Sequence, residues 1–195
     1  MTSRTAIFII DVQAATANTP ASRVPHADRL KSVLSEILSA ARTSVPKNDQ
    51  EAPIIVFVQH SQHPEDGPLV YGTAPWELVF TPEDDSSNEF VVHKTTGDTF
   101  ESNQDLAARL RSHGVTHVVT LGIQSEYCVQ ATALGALSAG FQVSILEDAH
   151  STYNAGDATA LGIEKEVEKL IVSRGGKSRP YKTALSNWVT SGKVM

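Results

Sequence analysis

A chain of 195 residues with 16 basic and 22 acidic side chains carries a formal charge of −6, histidines neutral. With 41% hydrophobic and 19% charged residues it reads as a soluble globular chain, and its length fits a single domain over residues 1–195. The acidic balance argues against nucleic acid as a partner, and one cysteine excludes an internal disulfide framework.

The first apolar run, Ala6 to Ile10, stops at Asp11. It is too short for a signal peptide or a membrane span, so the expectation is a cytoplasmic protein without membrane contact. The run is continuously apolar and β-branched, as a strand buried on both faces should be. Leu30, Val33, Leu34, Ile37, Leu38 and Ala41 then recur at helical spacing. A polar connector from Pro46 to Pro53 leads into a second apolar strand, Ile54 to Val58. The stretch from Gln59 to Asn88 is rich in Pro, Gly and Asp and contains Trp76, and a loop of that length is expected to cover a site.

Phe90 to Val92 forms a third strand. Leu106, Ala107 and Leu110 mark a helix that Gly114 stops before a strand over Val115 to Leu121. Val129 to Ala139 reads as an Ala/Leu-rich helix ending at Gly140, ahead of a strand over Gln142 to Leu146. After Gly175 the pattern weakens, with Tyr181 to Leu185 as a last strand. Alternating strands and helices imply the α/β class, with a mostly parallel sheet of about six strands between two helical layers. Ligands then bind at the carboxyl ends of the strands.

Two familiar motifs fail. Gly176-Lys177-Ser178 ends like a phosphate-binding loop, but the first glycine of that motif falls on Ile171, so it reads as an exposed turn. No Gly-x-Gly-x-x-Gly follows the first strand, and no cofactor is implied. His60 and His63 are spaced to share a metal but have no matching carboxylate between them. His60 is therefore read as lining a pocket, His63 as facing solvent, and no metal is expected.

What remains is the set of residues that end the strands. Asp11-Val12-Gln13 follows the first, His93-Lys94 the third, and Gly122-Ile123-Gln124-Ser125-Glu126-Tyr127-Cys128 the fourth. If those strands are neighbours, an acid, an amine and a thiol converge at one edge. A helix N-terminus and an ammonium both favour the thiolate, which is the nucleophilic form. Asp11 would take the thiol proton and return it to a leaving amine, while backbone N–H groups at the helix start hold an oxyanion.

At these residues the chain resembles the isochorismatase-like cysteine hydrolases, a superfamily that includes nicotinamidases, carbamoylsarcosine amidases, ureidoacrylate amidohydrolases and biuret hydrolases. Ala6 to Gln13 is similar to its first-strand signature, and Gly67-Pro68-Leu69, Gly72-Thr73 and Trp76-Glu77-Leu78 to its Gly/Pro loop. Val91 to Thr96 resembles the lysine segment, and Gly122 to Val129 with Ala131-Thr132-Ala133 the cysteine segment. The resemblance implies an α/β/α, Rossmann-like fold and a catalytic Asp11, Lys94 and Cys128. It also implies a non-proline cis peptide between Ile123 and Gln124, and an oxyanion hole from the N–H groups of Gln124 and Cys128. Members are commonly dimers or tetramers, so a homo-oligomer is expected.

Departures refine this. The metal-binding Asp-x-His of nicotinamidases is replaced by Gln59-His60-Ser61-Gln62-His63, which argues against that activity. Asp98-Thr99-Phe100 stands for the usual Ser-Ala-Phe, and Ser125 for a threonine. True isochorismatases generally lack the cysteine, so Cys128 points to covalent cleavage of a small amide, ureide or carbamoyl compound. Gln13, His60, Trp76, Phe100 and Tyr127 are the expected pocket residues. Two rivals are an isochorismatase-type hydrolase without covalent thiol catalysis, and a non-catalytic binding or redox-sensing protein on the same fold.

Overall fold

In the computed structural model, which describes residues 3–43, 52–191 and 194, six parallel strands lie in the order β3-β2-β1-β4-β5-β6. They are β1 (Arg4–Ile10), β2 (Ile54–His60), β3 (Glu89–Lys94), β4 (Val115–Ile123), β5 (Gln142–Ser151) and β6 (Lys177–Pro180). The chain winds outward from β1 to β3, then returns to β4 beside β1. That reversal opens a crevice at the carboxyl ends of β1 and β4, where sheets of this kind bind ligands.

Apolar side chains alternate between two helical layers. Ile7, Ile9, Ile55, Phe57, Val119 and Leu121 face α1 (Ala27–Thr43) and α6 (Tyr181–Ser191). Phe8, Ile10, Val56, Val58 and Val118 face α3 (Leu106–Ser112), α4 (Gln130–Ser138) and α5 (Ala160–Ser173). A short α2 (Thr99–Ser102) is capped by the Asp98 side chain, which accepts from the Phe100 N–H at 2.8 Å. No helix among the described residues is long and apolar enough to cross a membrane.

Three features differ from the expectation. The last strand is Lys177–Pro180, so Gly176-Lys177-Ser178 enters a strand and is not a turn. Tyr181 instead opens α6, because Tyr181, Ala184 and Trp188 recur at helical spacing and bury together against the sheet. β5 continues to Ser151: Thr120 pairs with Ile145 but Gly122 with His150, a bulge that sets three extra residues into β5. Of the connector expected over 46–53, residues 46–51 lie outside the described residues.

β1 and β4 approach closely where the site forms. Gly122 has φ +121°, and a Cβ there would overlap the Ile10 carbonyl oxygen, so only glycine fits.

Candidate active site

Asp11, the first residue past β1, has φ 52° and is 3% exposed. A non-glycine residue in the left-handed region is strained unless its surroundings enforce it. Here the turn is held by the Asp11 N–H donating to the Val58 carbonyl at 3.0 Å and by the Thr16 hydroxyl donating to the Asp11 carbonyl at 3.1 Å. Lys94 ends β3, which β2 separates from β1, and its side chain reaches across the end of β2. Cys128 sits in a wide helical turn, Ser125–Val129, closed by the Val129 N–H donating to the Gln124 carbonyl at 3.1 Å. The Ile123–Gln124 peptide ahead of it is cis.

The Lys94 ammonium is the hub of the site. Nζ is 2.8 Å from Asp11 Oδ2 and donates to Cys128 Sγ at 3.1 Å, to the Thr96 carbonyl at 3.0 Å and to His60 Nδ1 at 3.1 Å. His60 therefore carries its proton on Nε2. Burial and Lys94 pull the His60 pKa below its usual value, against the pull of Asp11, so the ring is neutral at neutral pH.

Lys94 and Cys128 are each shifted by burial and by their charged neighbours. Burial pulls Lys94 down, but Asp11 and Cys128 together hold it above the ordinary lysine value. The Cys128 thiol is pushed up to about 12 by burial and by Asp11, with Lys94 opposing. This corrects the expectation that Lys94 and the helix start leave a thiolate: loss of solvation dominates, and the resting sulfur is protonated.

A cavity of about 280 Å³ opens above these groups. Asp11, His60, Cys128, Ile123 and Gln124 line it, together with Thr16, Gln62, Leu69 and Tyr127. Of the five expected pocket residues, His60 and Tyr127 are there, and three are not. Gln13 is fully buried, its Nε2 donating to the carbonyls of His60 (3.1 Å) and Trp76 (2.7 Å) while Oε1 accepts from the His60 N–H at 3.0 Å. It braces the strand end beneath the site. Trp76 stacks on His93 at 5.7 Å and donates from Nε1 to Ser61 Oγ at 2.9 Å. Phe100 lies between Phe8 and Phe141, in the apolar layer that Cys128 also packs against, and does not line the cavity. Sequence reasoning missed Thr16, Gln62 and Leu69. The last two come from the long loop, so it does cover the site, but no periodicity marks which of its residues turn inward.

The carboxylate of Asp11, the ring of His60 and the sulfur of Cys128 place ligand atoms within 4.8 Å of one another. A cation does not suit the gap between them, because the Lys94 ammonium already contacts all three. His63 does not join them: its side chain is 67% exposed and its Nδ1 accepts from the Glu65 N–H.

Residues 5–167 match the Isochorismatase domain family. A streptothricin hydrolase of Streptomyces noursei is 34% identical over 174 residues, covering 88% of this chain, while the chain spans 63% of that relative's length. A cysteine hydrolase from Pseudomonas syringae pv. phaseolicola 1448A superposes with a TM-score of 0.81 over 97% of this chain and 93% of its own, at 18% identity, a likeness of fold. A pyrazinamidase of Pyrococcus horikoshii, solved in complex with zinc, gives a TM-score of 0.67 at 26% identity, covering 91% of this chain and 99% of its own. With the site, the sheet order and the match over most of its length in agreement, the chain belongs to the isochorismatase family of hydrolases.

Proposed function

We propose that this protein hydrolyses a C–N bond in a small, uncharged amide, ureide or carbamoyl compound, through a thioester on Cys128. The observation that carries the reading is the buried Lys94 ammonium, ion-paired with Asp11 and hydrogen-bonded to the Cys128 sulfur, beneath a cavity that Asp11 and Cys128 both line. The family and its amidase and hydrolase relatives support it.

The resting thiol is neutral, so it must lose its proton as it attacks. Asp11 accepts the S–H proton while sulfur bonds to the substrate carbonyl carbon. The carbonyl oxygen becomes an oxyanion on the N–H groups assigned to Gln124 and Cys128, worth about 10²–10³ in rate per donor. Asp11 then protonates the leaving nitrogen and the C–N bond breaks. A water molecule, deprotonated by Asp11, attacks the thioester; the acid product leaves and the thiol regains its proton. Lys94 pairs with the Asp11 carboxylate and balances the charge developing on sulfur.

The substrate class follows from charge. The contacts of Lys94 are taken, Asp11 is balanced by it through Oδ2 and keeps Oδ1 without a partner for the proton, and His60 is neutral, so the described lining offers no net charge to a carboxylate or an ammonium. A cavity of 280 Å³ takes a compact molecule.

The test is ammonia release from a panel of primary amides, ureides and carbamoyl compounds, each neutral member matched with a carboxylate-bearing analogue. Neutral members are expected to react at least about tenfold faster, and Cys128→Ala to lose about 10³-fold or more of the turnover. Intact-mass analysis should find the acyl group on Cys128. Full turnover by Cys128→Ala would exclude covalent catalysis.

A further inference from the structure

Behind the turn that carries Cys128 lies a second polar chain, which the reaction above does not use. Ser125 Oγ is 2.8 Å from His150 Nδ1, and both residues are fully buried. On the far side of the ring, His150 Nε2 is 3.5 Å from Glu168 Oε1 on α5. The order serine, histidine, acid is that of a hydrolytic triad, yet neither Ser125 nor His150 lines the cavity. A substrate carbonyl has no route to that hydroxyl.

The fold goes to some length to place this chain. The bulge in β5 sets His150 opposite Gly122, two residues before Gln124. From the other helical layer, Arg29 on α1 donates to the His150 carbonyl at 3.2 Å and pairs with Glu164 at 2.7 Å and with Asp148 at 3.2 Å. Glu164 in turn accepts from the Ser151 hydroxyl at 2.9 Å. Lys165 holds Glu168 at 2.9 Å. Burial raises the Glu168 pKa, but His150 and Lys165 outweigh it and hold the carboxyl below its usual value.

The Glu168 carboxylate, 3.5 Å from Nε2 at ion-pair distance and not hydrogen-bonded to it, draws the imidazole proton to that nitrogen, so Nδ1 is the acceptor and Ser125 the donor. The hydroxyl is thereby tied to the sheet, pointing away from the cavity. Ser125 opens the turn whose backbone runs on through Cys128.

We infer that Ser125, His150 and Glu168 form a positioning relay, which fixes the Gln124–Cys128 turn so that its backbone N–H groups meet the oxyanion. The inference rests on the acyl-transfer reading above. None of the three touches substrate; they act through the backbone.

Two reagents separate this role from thiol activation and from general structural support. p-Nitrophenyl acetate acylates a thiol through a tetrahedral oxyanion, whereas iodoacetamide alkylates it by displacement at a saturated carbon and has no use for an oxyanion hole. In the full chain, Ser125→Ala is expected to slow Cys128 acylation at least about tenfold, the scale of a misplaced oxyanion donor. Alkylation should stay within about twofold of wild type, since the thiol environment is untouched. Ser125→Thr, which keeps the hydroxyl, should recover acylation. Glu168→Gln should shift acylation in the same direction, and it serves as the test if Ser125→Ala does not fold. A parallel fall in both reactions, or acylation unchanged in both variants, would overturn the relay. Wild-type chain that is alkylated at Cys128 but acylated no faster than Cys128→Ala would instead overturn the thioester reading on which the relay depends.

Discussion

Replacing Asp11 by asparagine is expected to make Cys128 more reactive and the enzyme inactive. Burial and Asp11 raise the thiol pKa and Lys94 lowers it, so removing the carboxylate leaves only burial opposing the ammonium beside the sulfur. In the wild type the iodoacetamide rate should keep climbing past pH 9, where a free thiol is already mostly ionised, and reach its plateau only above the thiol pKa of about 12. In Asp11→Asn the plateau moves to lower pH, and the rate at pH 8 rises at least about tenfold, one pKa unit being a factor of ten in thiolate. Amide turnover falls about 10³-fold or more, because the amine leaves unprotonated and the water unactivated. Alkylation kinetics against pH, beside turnover on one confirmed amide, check both halves. If Asp11→Asn slowed alkylation and turnover together, Asp11 would be supporting the thiolate and not drawing its proton.

Lys94→Met is expected to show its largest effect in stability. The Lys94 and Asp11 side chains are 0% and 5% exposed, and removing one member of such a pair leaves the other charge buried and uncompensated. That loss typically costs about 3–5 kcal/mol, or about 6–20 °C in melting temperature for a chain of this size. His60 Nδ1 and the Thr96 carbonyl also lose their donor. The double variant Asp11→Asn/Lys94→Met carries no buried charge at this point and should regain most of the loss, as replacing both partners of an ion pair generally does. Thermal melts of the two single variants and the double variant form the cycle. Additive losses would mean that the pair is not coupled. Turnover should be lost in all three.

Much of the fold was legible because β1 and β2 are apolar throughout and α1 repeats cleanly, patterns that survive without knowledge of the partners. Asp11, Lys94 and Cys128 were legible for a related reason: each follows a recognisable strand, and parallel sheets gather their strand ends at one edge. Less local features escaped. The pattern over Tyr181 to Leu185 is too short to tell strand from helix until Trp188 closes the face on α1 and the sheet. The bulge in β5 depends on pairing with β4, so nothing in Gln142 to Ser151 alone announces that His150 comes to lie beside Ser125. Aromatic residues near the motifs were expected in the pocket, but Phe100 and Trp76 find larger apolar and stacking partners elsewhere. Gln62 and Leu69 reach the cavity through an irregular loop, where only the folded backbone decides which way a side chain faces.

The sheet order also sets which part of the site fails first. Asp11 and the cysteine turn follow β1 and β4, the two central strands, whereas Lys94 rides on β3 at the edge, several of whose residues are only half-buried. Edge elements with fewer neighbours open at lower free energy than the centre of a sheet. Fraying of β3 would withdraw the ammonium from the thiol and the carboxylate while the central strands stay paired. Thermal loss of the site is therefore expected to begin at one peripheral strand, and reinforcement aimed at longevity belongs on β3 and its contacts with α2 and with Arg109 of α3.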